Sequence, residues 1–250
     1  MIPMQGLDLE TTGIDVEQAR ILDWAIANVG GDQPAEFTQA LVNPGVPIPA
    51  ESTEIHGITD EHVADAVSPD VAVTRIVQHL SDALGEGRPI VGHNISYDLT
   101  VLDRECRRHL GEPLETLLGV PVRPVIDTLV LSKHLDPYRK RVSETQGAHQ
   151  LRTCVEKLVT PRWSSVVWSE EDAHGALYDC RMALYVAAAV LGHPRLRRFG
   201  LGELHDAQVV WRGEQCASFQ EYKQRTDPSV RIDGRWPVVP FEPRQESLIP

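Results

Sequence analysis

Residues Gly6 to Asp15 read GLDLETTGID. Met4 to Leu9 is predicted as a short strand, with two carboxylates, Asp8 and Glu10, at its C-terminal end. Acids are disfavoured in strands. Residues i and i+2 of a strand project to one face, so these two carboxylates point the same way. They sit at the strand's C-terminal end, where open α/β sheets bind ligands. Two carboxylates side by side repel each other unless a cation lies between them. Hard oxygen donors of this kind suit Mg2+ or Mn2+. Taken alone, the pair also fits a plainer account, with one acid capping the Thr11-Thr12-Gly13 turn and the other solvated.

Outward from this stretch, a second strand is expected from about Arg20, and a third within PAEFTQALVNP, ending at Pro44. Gly30 and Gly31 mark the turn between them, which makes a three-stranded meander. After Pro49 the pattern becomes helical. Thr59 and Asp60 are helix-start candidates. Val73, Ile76, Val77, Leu80 and Leu84 form a helical stripe closed by Gly85. RPIVGHN reads as a short buried strand, and SYDLTVLDRECRRHL as a helix. VIDTLVLSKHL fits a strand or a helix. EEDAHGALYDCRMALYVAAAVLG is the strongest helix signal of the chain. Strands first, then strands alternating with helices, give a mixed α/β sheet with helices on both faces. A boundary is expected near residues 192–202, dividing a main domain (1–191) from an extension (192–250). The extension reads as an amphipathic helix followed by a proline-rich tail, which either packs on the main domain or is partly mobile.

The chain has 250 residues, 42% of them hydrophobic and 24% charged, with a net charge of -12. That composition gives a sizeable core. The acidity excludes a broad basic face gripping duplex nucleic acid. A site that holds a few nucleotides through metal ions stays open. Cys106, Cys154, Cys180 and Cys216 form no CxxC pair, so neither a zinc site nor a redox motif is signalled. The N-terminal MIPMQGLDLE lacks signal-peptide features. The apolar run LYVAAAVLG is far short of the ~20 residues that span a bilayer. A cytoplasmic protein with no membrane contact is the expectation.

Two further stretches carry acids in unusual settings. IVGHNISYDLTVL passes from a buried strand into a helix with Asp98 in its first turns, flanked by Asn94 and Tyr97. Helix capping alone would also place an acid there. In AHGALYDCRMALYVA, Asp179 stands among Leu177, Met182, Ala183, Val186 and Ala187. A buried acid on that face needs a partner or a metal. His174 lies five positions before Asp179, poorly aligned with it on one helix, so it is expected on the preceding loop or first turn. By itself it reads as a solvated loop histidine.

Together, Asp8/Glu10 in LDLETTG, Asp98 in VGHNISYDLTVL and His174/Asp179 in HGALYD resemble the three motifs of the DEDDh exonucleases. These ribonuclease-H-like 3′-5′ exonucleases include the proofreading subunit of bacterial replicative DNA polymerase. The similarity runs from about Met4 to Leu191, and IHGIT at Ile55–Thr59 also resembles a family segment. In the sister branch a tyrosine stands four residues before the last acid. Here that position is Gly175, which favours the histidine branch. The resemblance implies a ribonuclease-H-like mixed five-stranded sheet flanked by helices. It also implies a site in which Asp8, Glu10, Asp98 and Asp179 bind two ions, Mg2+ or Mn2+, with His174 as general base. Thr11, Thr12, Gly13, His56, Ile58, Asn94 and Tyr97 become candidate contacts to the substrate. The implied partner is the 3′ end of single-stranded or frayed DNA, or of RNA, with a DNA polymerase or repair protein as a further partner.

The region RVSETQGAHQLRTCVEKLVTPRWSSVVWSEED departs from the family pattern, which bears on the shape of the substrate channel. The last helix and the DGRWP tail resemble an extension on actinobacterial members. Its stripe of Leu204, Ala207, Trp211, Phe219 and Tyr222 reads as packing rather than as a stacking surface for bases. The basic clusters Tyr138–Arg141 and Arg195–Arg198 read as solvated faces. A catalytically silent nucleic-acid-binding module is the rival reading, and the intact acids with His174 argue against it.

Overall fold

The computed structural model describes residues 2–242. The chain opens as an antiparallel meander of β1 (Met4–Thr11), β2 (Ile21–Val29) and β3 (Glu36–Leu41), with Gly30 and Gly31 both at positive φ in the second turn. Three helices follow: α1 (Ala50–His56), α2 (Asp60–Val63) and α3 (Pro69–Gly85). Thr59 caps α2 through a reciprocal bond pair with His62. Proline begins α3, where its missing N–H costs nothing. Next come β4 (Ile90–Gly92), α4 (Ile95–His109), α5 (Leu114–Leu118) and β5 (Val125–Asp127). The ambiguous VIDTLVLSKHL resolves at Asp127: β5 ends there, and the same side chain caps α6 (Thr128–Leu135) by accepting from Leu129 and Val130 N–H. A short helix, α7 (Leu151–Cys154), runs on as a π-turn through Val159. The chain is then irregular until α8 (Ala176–Leu191), and α9 (Leu201–Gln224) follows.

The five strands lie in the order β3-β2-β1-β4-β5, with β1–β4 and β4–β5 parallel. Alternation sorts two cores. Leu7, Leu9, Trp24, Ile26, Ile90 and Val125 face α3 and α4. Met4, Ala25, Ala27, Val91 and Ile126 face the other side, where α8 packs. Each fully buried aliphatic side chain stabilises this arrangement by about 1.5–3 kcal/mol. On the α8 face, position 6 must be glycine for a steric reason. A Cβ on Gly6 would stand 2.6 Å from Cys180 Sγ and 2.9 Å from Leu184 Cδ1. Glycine at 6 therefore lets α8 close on β1.

The segment after residue 192 lies against the β5 end of the sheet. In α9, His205 Nδ1 accepts from Val125 N–H at 3.1 Å, and Gln208 Oε1 accepts from Asp127 N–H at 2.7 Å. Gln208 Nε2 donates back to Val125 O at 2.9 Å. These two side chains thus stand in for a sixth strand along the β5 edge. The tail follows the same course: Trp236 is buried among the α3/α4 core residues, and Val239 N–H donates to Thr100 Oγ1. Residues 243–250 of the expected tail lie outside the described residues. Among the described residues, no helix is long and apolar enough to cross a membrane.

Candidate active site

Four carboxylates converge where β1, α4 and α8 meet. Asp8 and Glu10 project from β1 on the face opposite Leu7 and Leu9. Asp98, in the first turn of α4, is buried, and its Oδ1 accepts from Leu9 N–H at 3.0 Å. That bond fixes Asp98 between the two strand acids. Asp179, in the first turn of α8, is carried onto β1 by the close approach that Gly6 permits, and its Oδ1 is buried without a hydrogen-bond partner.

Burial and mutual repulsion govern the protonation of this group. Asp8 is held well above the usual carboxylate range by burial, then by Asp98, Asp179 and Glu10. Burial, then Asp179, Asp98 and Asp23, push Glu10 up to about 9. Asp98 is raised to about 8, mainly by burial and against the pull of its backbone hydrogen bonds. Asp179 is raised to about 6 by burial, offset by His174. His174 is exposed, sits at φ 62 just before α8, and lines one cleft with Asp179. The helix that the sequence pattern extends back to Glu170 thus begins only at Ala176, which leaves His174 on the preceding loop.

A fifth acid escaped the sequence reading. Asp23 on β2 is opposite Glu10 in register, is buried, and is raised to about 6 by burial. One of its oxygens accepts from Gln39 at 2.6 Å, and the other is buried without a partner. The signal was an acid inside the apolar run ILDWAIANV.

The candidate substrate contacts fall into three sets. Thr11, Thr12 and Gly13 form a braced turn. Thr11 Oγ1 bonds Tyr97 Oη at 2.6 Å, Tyr97 also donates to Gly13 O, and Ser52 Oγ donates to Thr12 O at 2.7 Å. His56 is half-buried beside this turn, with Nδ1 accepting from Ile58 N–H and Nε2 buried and unpartnered. Ile58 itself packs with Leu22, Ile48 and Val63 and is 9% exposed. Asn94 takes a left-handed conformation at the start of α4, its N–H donating to Asp127 Oδ1 at 3.0 Å, and it lines the cleft shared by His174 and Asp179.

Among the described residues, no three His, Cys, Asp or Glu side chains are already closed around an ion-sized point. The donor set nonetheless fits hard divalent cations. It is all oxygen, its members raise one another's pKa, and the buried Asp179 Oδ1 lacks a donor.

Comparison with known proteins accords with this architecture. The chain is 25% identical over 209 residues to the PolC-type DNA polymerase III of Pediococcus pentosaceus, covering 82% of this chain and 12% of that one. It is 31% identical over 137 residues to the Streptococcus sanguinis PolC-type enzyme, covering 54% of this chain and 8% of that one. It therefore spans about a tenth of the length of these relatives. Among solved structures, E. coli Exonuclease I in complex with a dT13 oligonucleotide superposes with TM-score 0.58 at 17% identity, over 79% of this chain and 42% of that one. Exonuclease X in complex with 5′ overhanging duplex DNA superposes with TM-score 0.51 at 21% identity, over 82% of this chain and 99% of that one. These two likenesses concern the fold. The model of the RNase_T exonuclease family matches residues 6–187, most of the chain, and with the sheet and its acid-bearing elements in place the chain belongs to that exonuclease family.

Proposed function

We propose that this chain is a 3′-5′ exonuclease that hydrolyses the terminal phosphodiester of single-stranded or frayed DNA and releases nucleoside 5′-monophosphates. The observation that carries the reading is the meeting of Asp8, Glu10, Asp98 and Asp179 at one point of the sheet, with the His174 imidazole exposed beside them. The four carboxylates would hold two Mg2+ or Mn2+ ions. When bound, such a pair supplies an activated water and neutralises charge on the departing 3′ oxygen.

The chain's own groups supply the remaining parts. His174 takes the proton of the attacking water on a ring nitrogen, a task suited to imidazole, and its exposure lets it pass that proton to solvent. The Thr11–Gly13 turn offers a rigid seat for the terminal nucleotide, because Tyr97 and Ser52 brace it from two helices. His56 stands half-buried beside that seat, as a candidate contact to the sugar or base. Asn94 borders the cleft with His174 and Asp179, as a candidate contact to the strand. The PolC-type relatives support a DNA polymerase or repair protein as a working partner, and a cytoplasmic setting accords with that role.

The test is release of label from a 3′-labelled single strand in Mn2+, by the wild type and by Asp8→Ala. The variant is expected to lose nearly all of the rate, and an equal rate in both removes the assignment. Matched DNA and RNA strands in the same assay separate a DNA enzyme from an RNA-trimming one. Binding without any cleavage would mark a silent module.

A further inference from the structure

A cleft of about 1000 Å³ opens from His174 and Asp179 and runs between α6 and α9. Its far wall belongs to the C-terminal segment, through Arg212, Gln215 and Phe219 of α9. Lys133 of α6 faces them. Neither Lys133 nor Arg212 forms a salt bridge among the described residues, and the buried Nε of Arg212 has no hydrogen-bond partner. They lie close enough that Arg212, after burial, lowers the pKa of Lys133.

The nearby carboxylates act on these cations from a distance, Asp127 on both and Asp233 on Arg212, and are held in place by other groups. Asp127 accepts from Asn94, Leu129 and Val130 N–H and from the Trp236 indole. Asp233 is held by Arg235, and Glu170 on the cleft wall pairs with Arg152. Two adjacent cations thus line one cleft of a chain of net charge -12, neither of them in a direct ion pair among the described residues. An anion bound between the two would be attracted by both.

The same wall carries an aromatic that the sequence reading assigned to packing. Leu204 and Trp211 of that stripe do pack, but Phe219 is 51% exposed and Tyr222 61% exposed, their rings parallel within 12°. An exposed aromatic, Phe219, in one cleft with two cations supplies the two components by which proteins hold single strands without sequence preference.

We infer that α9 forms the track for the strand upstream of the cleavage point, with Lys133 and Arg212 clamping a backbone phosphate and Phe219 stacking a base. This rests on the exonuclease reading for its direction, but the binding it describes is separately measurable. The probe is a fluorescein-labelled oligothymidylate, its anisotropy followed with full-length Asp8→Asn protein so that the strand stays intact, as potassium chloride is raised. Arg212→Gln should weaken binding about tenfold and lower the slope of log Kd against log salt by about 0.7, the loss of one phosphate contact on a single strand. Phe219→Leu should weaken binding about tenfold with the slope kept, as loss of one stacked base requires.

Arg212→Lys should recover the slope, and Phe219→Tyr the affinity. Phe219 is exposed, so its variant tests the track even if changes at Arg212 disturb the fold. No binding by the parent, or unchanged Kd and slope in both Arg212→Gln and Phe219→Leu, overturns the track. If the losses appear while the wild type releases no nucleotide, the exonuclease reading fails and the track stands. If the wild type cleaves while both variants bind like the parent, only the track fails.

Discussion

Raising the pH should loosen the metal-free protein, and a divalent cation should tighten it again. Glu10, Asp98 and Asp179 titrate in the native chain near 9, 8 and 6. In the unfolded chain such acids titrate near 4. A group with a raised native pKa gives its full stabilising contribution below the unfolded value and loses it as pH climbs through the native value. For this cluster the loss runs from about pH 4 upward and is still in progress between 6 and 9. At neutral pH the native state retains protons that the unfolded state has released. Counting only one such proton, each pH unit costs about 1.4 kcal/mol. In a chain of this length 1 kcal/mol moves Tm by about 2–4 °C, so Tm should fall about 3–6 °C per unit. A cation binds the ionised acids, and at a hundredfold excess over its Kd it adds about 2.7 kcal/mol, or roughly 5–11 °C. The assay is a set of thermal melts across pH 6–9, in chelator and in Mn2+. A midpoint that is flat or rising with pH in chelator refutes the charge argument, and one indifferent to Mn2+ at pH 8 refutes the ligand assignment.

Other outcomes follow from particular contacts. His174→Ala should lower kcat by about a hundred- to ten-thousand-fold, as loss of a general base does. Its melting midpoint should stay in place because the side chain is exposed; a parallel fall in stability would instead make His174 structural. Gly6→Ala should cost about 1–3 kcal/mol in denaturant titration by forcing α8 away from β1, with part recovered in a Gly6→Ala/Cys180→Ala double variant. Gln208→Ala leaves the Asp127 N–H and Val125 O of the sheet edge unpaired and should cost at least about 1–3 kcal/mol in the same measurement. Tyr97→Phe, which removes the hydroxyl bracing Thr11 and Gly13, should raise KM more than it changes kcat.

Much of the fold was legible because strands and helices advertise their buried faces by period. The alternation around Asp8 and Glu10, the stripe of α3 and the apolar run of α8 each specify one face to bury. What stayed hidden were pairings between distant segments. Nothing local says that Gln208 and His205 serve the backbone of β5, since their partners lie some eighty positions away. Asp23 sits in a strand that reads as apolar, and only its register against Glu10 brings it to the acid cluster. Phe219 and Trp211 share one stripe in sequence, yet Trp211 stacks on His134 while Phe219 faces the cleft. The helices α1 and α5, at seven and five residues, are too short for periodicity to announce.

The sealing of β5 by α9 has a consequence for assembly. A β-sheet can be lengthened by another protein's strand only where backbone groups at its margin are unclaimed. At one margin, glutamine and histidine side chains already occupy that role. The opposite margin is β3, solvent-exposed over most of its length and bearing Phe37 on its surface. Among the described residues strand addition is thus left to the β3 margin, and a partner docking there would sit at the far side of the sheet from the α9 cleft, leaving that cleft open.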